Sequence, residues 1–125
     1  MYGDPVRCDL NAHAGGRLEI GDGVFFNFGC SVSAHTLVRV GNLCRIGQYS
    51  IILDCDYHEL NGSDGHGPAQ PIVIGDRVWM GARVTVLKGV TIGDGAVIGA
   101  GSVVTRNIPS RVLAAGVPAA VVKTF

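Results

Sequence analysis

The chain has 125 residues with ten basic and ten acidic side chains, so its formal net charge is zero. This length makes one domain, and an even charge balance without a dense basic patch gives no indication of nucleic-acid binding. Nineteen glycines among many Val, Ile and Ala exclude a disordered or helical chain and favour a β-solenoid. The longest apolar tract, 112–122, contains Gly116 and Pro118, and residues 1–10 lack a signal-peptide apolar region. We therefore expect a cytoplasmic protein without membrane insertion.

Residues 1–19 are weakly patterned and are predicted to cap the open end of the structure that follows, with His13 on the surface. Residues 20–53 are predicted to form two coils, because apolar residues recur there every six positions with one slip of two residues. Cys30 and Cys44 stand four residues after such positions, where a free thiol packs as a small hydrophobic group. The four cysteines include no Cys-x-x-Cys pair, so neither a disulfide framework nor a zinc knuckle is indicated. The six-residue positions are Ile20, Phe26, Val32, Val40, Ile46 and Ile52.

Residues 54–71 interrupt the repeat with the sequence D-C-D-Y-H-E-L-N-G-S-D-G-H-G-P-A-Q-P and are predicted to form an inserted loop. A loop of this length in a compact repeat protein is more often functional than decorative. Asp56 falls four residues after Ile52, where the repeat requires a small apolar residue. An unpaired buried carboxylate costs several kcal/mol by order of magnitude, so either the coil has ended or Asp56 has a partner. His66, between two glycines, is interpreted as a surface residue.

Residues 72–107 are predicted to form coils three and four, and residues 108–125 a C-terminal tail. A period of six fits neither a helix nor a lone strand, but it fits a coil whose flat sides are short strands joined by glycine corners. Three such units close a triangular coil of 18 residues, as the spacing of six requires. Four coils make a stack only about 20 Å tall, so we expect copies to associate through the flat sides. The regular positions are Ile74, Met80, Val86, Ile92, Ile98 and Val104, each followed four residues later by Val78, Val84, Val90, Ala96, Ser102 or Ile108.

The run I-G-D-R-V-W-M-G-A-R-V-T-V-L-K-G-V-T-I-G-D-G-A-V-I-G-A-G-S-V-V-T-R-N-I-P, followed by A-A-G-V-P-A, resembles the hexapeptide-repeat acyltransferases, and most of all their sugar O-acetyltransferase branch. The resemblance implies an all-β fold, a single-stranded left-handed parallel β-helix of about four coils with one inserted loop. It also implies acetyl-CoA as co-substrate, a sugar or glycan-precursor hydroxyl as acceptor, and a homotrimer with active sites between subunits. N-acetylation of an amino sugar or amino acid, and a non-catalytic trimeric scaffold, remain open as alternatives.

His58 stands where the family has a loop histidine, and the resemblance implies that it takes a proton from the acceptor hydroxyl during attack on the thioester. An imidazole suits this step because its basicity lies close to working pH, and general-base help contributes about 10²–10⁴ in rate. Asp56 or Glu59 orients the ring, and the residues alone leave that choice open. Glu59 stands where the family usually has proline, so the shape of the loop differs here.

Two residues are predicted to contact the acceptor. Asn27, in N-F-G-C-S-V, matches a family asparagine that contacts the acceptor; the alternative is a corner residue that tolerates a left-handed conformation. Ala34-His35 stands where the sugar enzymes often carry an acidic pair. His35 could hydrogen-bond the acceptor instead, or it could simply be exposed.

The donor side matches over more of the chain. Trp79 resembles the tryptophan that walls the active site, since a lone tryptophan has no obvious place in a narrow aliphatic core. Small residues at Gly81, Ala82 and Ala100 match those that line the pantetheine arm. A cation near the coenzyme phosphates gains charge-assisted contacts, and residues 72–125 carry six basic against two acidic side chains, an excess that an even surface scatter also explains. The matching positions are Thr105, Arg106 and Lys123, whereas Ala120 replaces a frequent arginine.

A metal site has to be weighed because the same β-helix also forms carbonic anhydrases of the gamma type, which bind zinc with three histidines. Such a site needs a close His-x4-His pair and a distant third ligand. The four histidines here are His13, His35, His58 and His66, and no two have that spacing. We therefore expect no metal cofactor.

Overall fold

The computed structural model describes residues 6–58 and 67–125. All regular elements in these two ranges are β-strands, and no helix in them is long and apolar enough to cross a membrane. The strands are β1 (Asp9–Ala12), β2 (Arg17–Ile20), β3 (Phe25–Phe26), β4 (Ser31–Ala34), β5 (Leu37–Val40), β6 (Arg45–Ile46), β7 (Ile51–Leu53), β8 (Ile72–Ile74), β9 (Trp79–Met80), β10 (Thr85–Val86), β11 (Thr91–Ile92), β12 (Val97–Ile98), β13 (Val103–Val104), β14 (Val112–Gly116) and β15 (Ala119–Thr124).

The strands form three sheets that make the three sides of a coil. Sheet 1 has the order β1-β4-β7-β10-β13, sheet 2 the order β11-β8-β5-β2, and sheet 3 the order β15-β14-β12-β9-β6-β3. All pairings are parallel except β14 with β15. The chain passes from sheet 2 to sheet 3, then to sheet 1, and back to sheet 2, so we name the corners 2/3, 3/1 and 1/2. The predicted parallel β-helix is confirmed, and its loop coincides with the gap between β7 and β8.

The predicted N-terminal cap is wrong in its extent, because strands begin inside it. Residues 9–12 pair in register with β4, and residues 17–20 pair with β5. Sheet 1 therefore has five strands, one more than the four coils predicted. Backbone hydrogen bonds hold β1, from Asp9 N to Cys30 O and from His13 N to Ala34 O. Backbone hydrogen bonds do not depend on the side chains, so this strand shows no apolar residue at every sixth position and could not be predicted from the repeat.

The predicted C-terminal tail also continues the stack. Leu113 pairs with Val97, so β14 extends sheet 3 by one strand. β15 then turns back antiparallel and pairs Ala120 with Ala115. This hairpin covers the outer edge of β14, and a covered edge offers no unpaired backbone groups to another chain.

The regular six-residue positions and their partners four residues later are buried, as the period predicts. The N-terminal end differs, since Ile20 is 40% exposed and Phe26 is only half-buried. Their strands, β2 and β3, are the edge strands of sheets 2 and 3. Val32 is fully buried because β1 covers its strand. Among the described residues, the N-terminal end of the stack is therefore formed by β1, β2 and β3, the edge strands of the three sheets.

The two cysteines predicted at compact inward positions are buried and unpaired. Their Sγ atoms donate to backbone carbonyls, Cys30 to Gly47 O at 3.1 Å and Cys44 to Gly75 O at 3.0 Å. Burial raises the pKa of the Cys30 thiol to about 11 and also raises the pKa of Cys44. Because the thiolate is the nucleophile, these two side chains act as packing groups at neutral pH.

Replacing Gly47 by alanine should lower the free energy of unfolding by about 1–3 kcal/mol, the usual cost of overpacking. A Cβ there would lie 2.4 Å from the carbonyl carbon of Gly81 and 2.6 Å from Ala82 N, both in the next coil. The matched control is Gly99→Ala at the same corner, whose Cβ would lie 3.0 Å from the methyl of Ala115 and 3.7 Å from the nearest backbone atom, Ala114 O. Urea unfolding of the two variants measures the difference, and equal losses would contradict backbone contact as the cause.

Candidate active site

A row of side chains runs across the outer surface of sheet 3. Strand register places Phe25, Arg45 and Trp79 side by side, followed by Val97 and Leu113. Lys123 on β15 pairs with Leu113 and completes the row. Trp79 is 58% exposed, so it lies outside the core as the sequence predicts.

A groove of about 310 Å³ lies where sheet 3 meets corner 3/1, and it contains residues predicted for both substrates. Asn27, from the first corner of this column, lines it together with Trp79, Gly81 and Ala82. Asn27 Oδ1 accepts a hydrogen bond from Phe28 N at 2.9 Å, and Asn27 Nδ2 donates to Gln48 Oε1 at 3.4 Å. The left-handed residue of this corner is Gly29, with φ +74°, so a left-handed backbone does not explain the asparagine.

The small residues of corner 3/1 have a stacking role as well. Gly81 N donates to Ile98 O in the next coil at 2.9 Å. A Cβ on Gly81 would lie 2.8 Å from Ala100 N. Close coil-to-coil approach therefore requires glycine at position 81, whether or not a coenzyme passes there. Ala100 lies at the same corner one coil further on and is exposed.

Corner 1/2 carries the loop with His58, and its base contains a carboxylate that the sequence reading missed. Asp54 is fully buried. Its Oδ1 accepts from His35 N at 2.8 Å, and its Oδ2 accepts from Thr36 N at 2.8 Å and Leu37 N at 3.0 Å. Strand alternation was the available signal, because Asp54 lies two residues after the inward-facing Ile52. The carboxylate joins the start of the loop to the preceding coil.

Two aromatic rings pack on the ring of His35, which lies next to this carboxylate. The side chain of His35 is 14% exposed, and its Nδ1 lies 3.5 Å from Asp54 Oδ1. The ring of His13 stacks on it with centroids 4.1 Å apart, and the ring of Tyr57 meets it edge-on at 5.0 Å. The interpretation of His35 as simply exposed is therefore wrong, and His13, although exposed, belongs to this cluster.

Asp56 is exposed and does not occupy an inward position, so the first of the two predicted alternatives holds and the coil has ended before it. The second alternative, a partner for the carboxylate, holds as well. Asp56 Oδ2 pairs with Lys88 Nζ at 2.7 Å, which ties the loop to the next coil at the same corner. His58 is exposed two residues further on. Glu59 and His66 lie outside the described residues.

The predicted site residues fall into two groups on opposite sides of the coil. In a three-sided coil, corner 1/2 faces away from sheet 3, so one chain does not bring His58 to Trp79. Each group combines residues predicted for catalysis or acceptor binding with residues predicted for the coenzyme. The loop set at corner 1/2 is His35, Asp56, His58, Thr105 and Arg106; the face set on sheet 3 and corner 3/1 is Asn27, Trp79, Gly81, Ala82, Ala100 and Lys123.

Metal-binding geometry is absent from the part of the chain that the structure describes. No group of three or more His, Cys, Asp or Glu side chains there could hold a metal ion.

Known proteins share this fold and much of the sequence. Residues 71–106 match the family described as the hexapeptide repeat of succinyl-transferase. Galactoside O-acetyltransferase of Escherichia coli (strain K12) is 39% identical over 112 residues, 87% of this chain and 55% of that protein. A protein of the same bacterium, named as a lipopolysaccharide biosynthesis O-acetyl transferase, is 35% identical over 131 aligned residues, 96% of this chain and 67% of that protein. The chain belongs to the hexapeptide-repeat acyltransferase family.

A solved member of the hexapeptide-repeat acyltransferases shows the same architecture. The acetyltransferase of Vibrio cholerae O1 biovar eltor, in complex with acetyl-coenzyme A, superposes with a TM-score of 0.83 at 30% identity. The match covers 90% of this chain and 63% of that one. The fold class is thereby confirmed as a left-handed β-helix of this family. The chain spans about half to two thirds of the length of these relatives.

Proposed function

We propose that this protein is an acetyl-CoA-dependent O-acetyltransferase that moves an acetyl group to a hydroxyl of a sugar or glycan precursor. Relatives named for O-acetyl transfer and a related structure holding acetyl-coenzyme A support the reaction class. The observation that carries the proposal is the groove at corner 3/1. There Asn27, the predicted acceptor contact, lines the same space as Trp79 and Ala82, the predicted donor contacts.

In the proposed reaction, His58 takes the proton of the acceptor hydroxyl while the oxygen attacks the thioester carbonyl carbon. The carbon–sulfur bond then breaks, and the leaving thiolate regains a proton from the imidazolium. A donor aimed at the transient oxyanion contributes about 3–4 kcal/mol in comparable sites. Asp56 is the proposed partner that orients His58. Its ion pair with Lys88 fixes the carboxylate at the base of the loop.

The coenzyme is proposed to run along the stack between two subunits. Trp79, Gly81, Ala82 and Ala100 would line its pantetheine arm. Its phosphates would meet the exposed Thr105 and Arg106 at corner 1/2 of one subunit and Lys123 on sheet 3 of the other. Guanidinium and ammonium groups suit phosphates because they provide charge-assisted hydrogen bonds.

We propose a homotrimer because the two halves of the site cannot meet within one chain. The loop set lies at corner 1/2 and the face set on the opposite side, so each must be completed by another copy. A contact between two different surfaces of identical subunits closes into a ring when the rotation permits. A three-fold ring would place corner 1/2 of each subunit against sheet 3 of its neighbour and form three equal sites.

Thiol release from acetyl-CoA over a panel of sugars and amino sugars, together with a CoA binding isotherm, tests the proposal. We expect CoA binding and turnover with at least one hydroxyl acceptor. Turnover confined to amino acceptors would favour N-acetylation. A protein that binds no CoA would be a scaffold, and the proposed activity would be wrong.

A further inference from the structure

A second groove on sheet 3 has no role in the reaction described above. It encloses about 460 Å³ between Trp79 and corner 2/3. Arg45 and Trp79 line both this groove and the one containing Asn27, so the two spaces adjoin. The residues that line only the second groove are Gly23, Leu43, Arg77, Val78 and Val97.

The second groove holds two cations without a counter-charge. In residues 6–58 and 67–125, neither Arg45 nor Arg77 forms an ion pair, whereas Arg17, Arg39 and Lys88 each have a carboxylate partner. The nearest carboxylate in sequence, that of Asp76, lines a different groove on the sheet 2 side of the corner. Its Oδ1 is engaged by Asn42 N at 2.8 Å. The guanidinium groups of Arg45 and Arg77 therefore line this groove without a carboxylate partner among the described residues.

We propose that this groove binds the anionic group of an acidic saccharide acceptor, either a carboxylate or a phosphate. Arg45 and Arg77 present planar guanidinium forks that match both groups, and the exposed face of Trp79 forms an apolar wall beside them. The acceptor hydroxyl would then reach the adjoining groove at Asn27. This inference rests on the proposed O-acetyl transfer and specifies its substrate class.

The position of the groove along the stack separates it from the proposed coenzyme phosphates. Arg45 lies on β6, and Lys123 lies on β15, four strands further along sheet 3. At about 4.8 Å per strand, the two rows are roughly 19 Å apart. Arg45 instead neighbours Phe25 and the Asn27 corner, at the acceptor end of the face set.

The test compares neutral hexoses with the corresponding uronic acids and hexose phosphates as acceptors, for the parent, Arg45→Gln and Arg77→Gln. Each substitution should raise the KM for the acidic acceptor by roughly 10- to 100-fold, the usual range for a lost hydrogen bond to a charged group. In Arg77→Gln, whose side chain lies outside the groove at Asn27, the KM for a neutral hexose and the Kd for CoA should not change. The uronic acid and phosphate series identify which anion is preferred. Arg39→Gln removes the same charge from sheet 2 and serves as the matched control, and Arg45→Lys should retain part of the effect.

Equal losses on neutral and acidic acceptors, or a loss of CoA affinity, would overturn the proposal. Calorimetric binding of a uronic acid and a hexose phosphate to the same variants provides a readout that needs no turnover. Absence of acetyl transfer with anion binding intact would refute the proposed reaction and leave the groove assigned. Transfer to neutral sugars with no anion binding would support the proposed reaction and refute the assignment of the groove.

Discussion

Replacing His58 by alanine should lower kcat for acetyl transfer by about 10²- to 10⁴-fold, the range that a general base contributes. The side chain is exposed at corner 1/2, so its loss removes no core packing. The Kd for CoA should therefore stay at the parent value, as should the denaturation midpoint. Thiol release, a CoA titration and urea unfolding measure the three quantities. Unchanged kcat on an acceptor that the parent uses would exclude His58 as the base.

Mixing His58→Ala with Trp79→Ala should restore part of the activity lost in each protein alone. One subunit in the mixture retains the loop set and the other retains the face set, so some of their interfaces contain both residues. The two proteins are unfolded together and refolded, and activity is compared with each protein refolded alone. No recovery at any mixing ratio would contradict a site shared between subunits.

Replacing Asp54 by alanine should lower the free energy of unfolding by about 3–5 kcal/mol, because the backbone donors that it satisfies lose their acceptor. Three backbone N–H groups, those of His35, Thr36 and Leu37, lose their acceptor. Each buried donor left unsatisfied costs about 1–3 kcal/mol. The change should appear as a lower urea midpoint, with the activity of the folded fraction reduced because the loop base loses its attachment.

Asp54→Asn tests the same contacts if the alanine variant does not fold. An amide offers one acceptor oxygen, and its N–H₂ group would face a backbone donor, so an intermediate loss is expected. Asp56→Asn is the control, since it removes a partly exposed ion pair with Lys88 that contributes about 0–1 kcal/mol. A midpoint for Asp54→Ala equal to that of the parent would refute the assigned role.

Side-chain periodicity accounts for most of what could be predicted about the core. Residues such as Ile74, Met80 and Val86 are buried because every sixth position faces inward in a three-sided coil. The strand β1 escaped prediction because backbone hydrogen bonds to β4 hold it. The repeat places an inward-facing residue four positions after Ile52, which wrongly selects Asp56. In a strand every second side chain faces the same way, so the residue two positions after Ile52, the buried Asp54, was the one to examine.

The sequence predicts which residues belong to the candidate site, but it does not predict where they lie relative to one another. Single positions such as His58 and Trp79 follow from family motifs, but their placement on opposite sides of the coil depends on which corner the loop leaves. No sequence motif identifies Arg45 and Arg77, the arginine pair beside Trp79. It emerges only when strand register brings Arg45 next to Trp79 and the corner brings in Arg77.

The antiparallel hairpin at the end of the chain also changes which strand the stack presents at the edge of sheet 3. Each coil of a parallel solenoid presents the same rows of N–H and C=O groups as the one before, so a further copy could in principle extend it end to end. On sheet 3, β15 occupies that row with a strand of opposite direction, and five of its six residues are exposed. Any strand that added at this edge would therefore pair with β15 and not with β14, and one that ran parallel to β14 would meet β15 antiparallel.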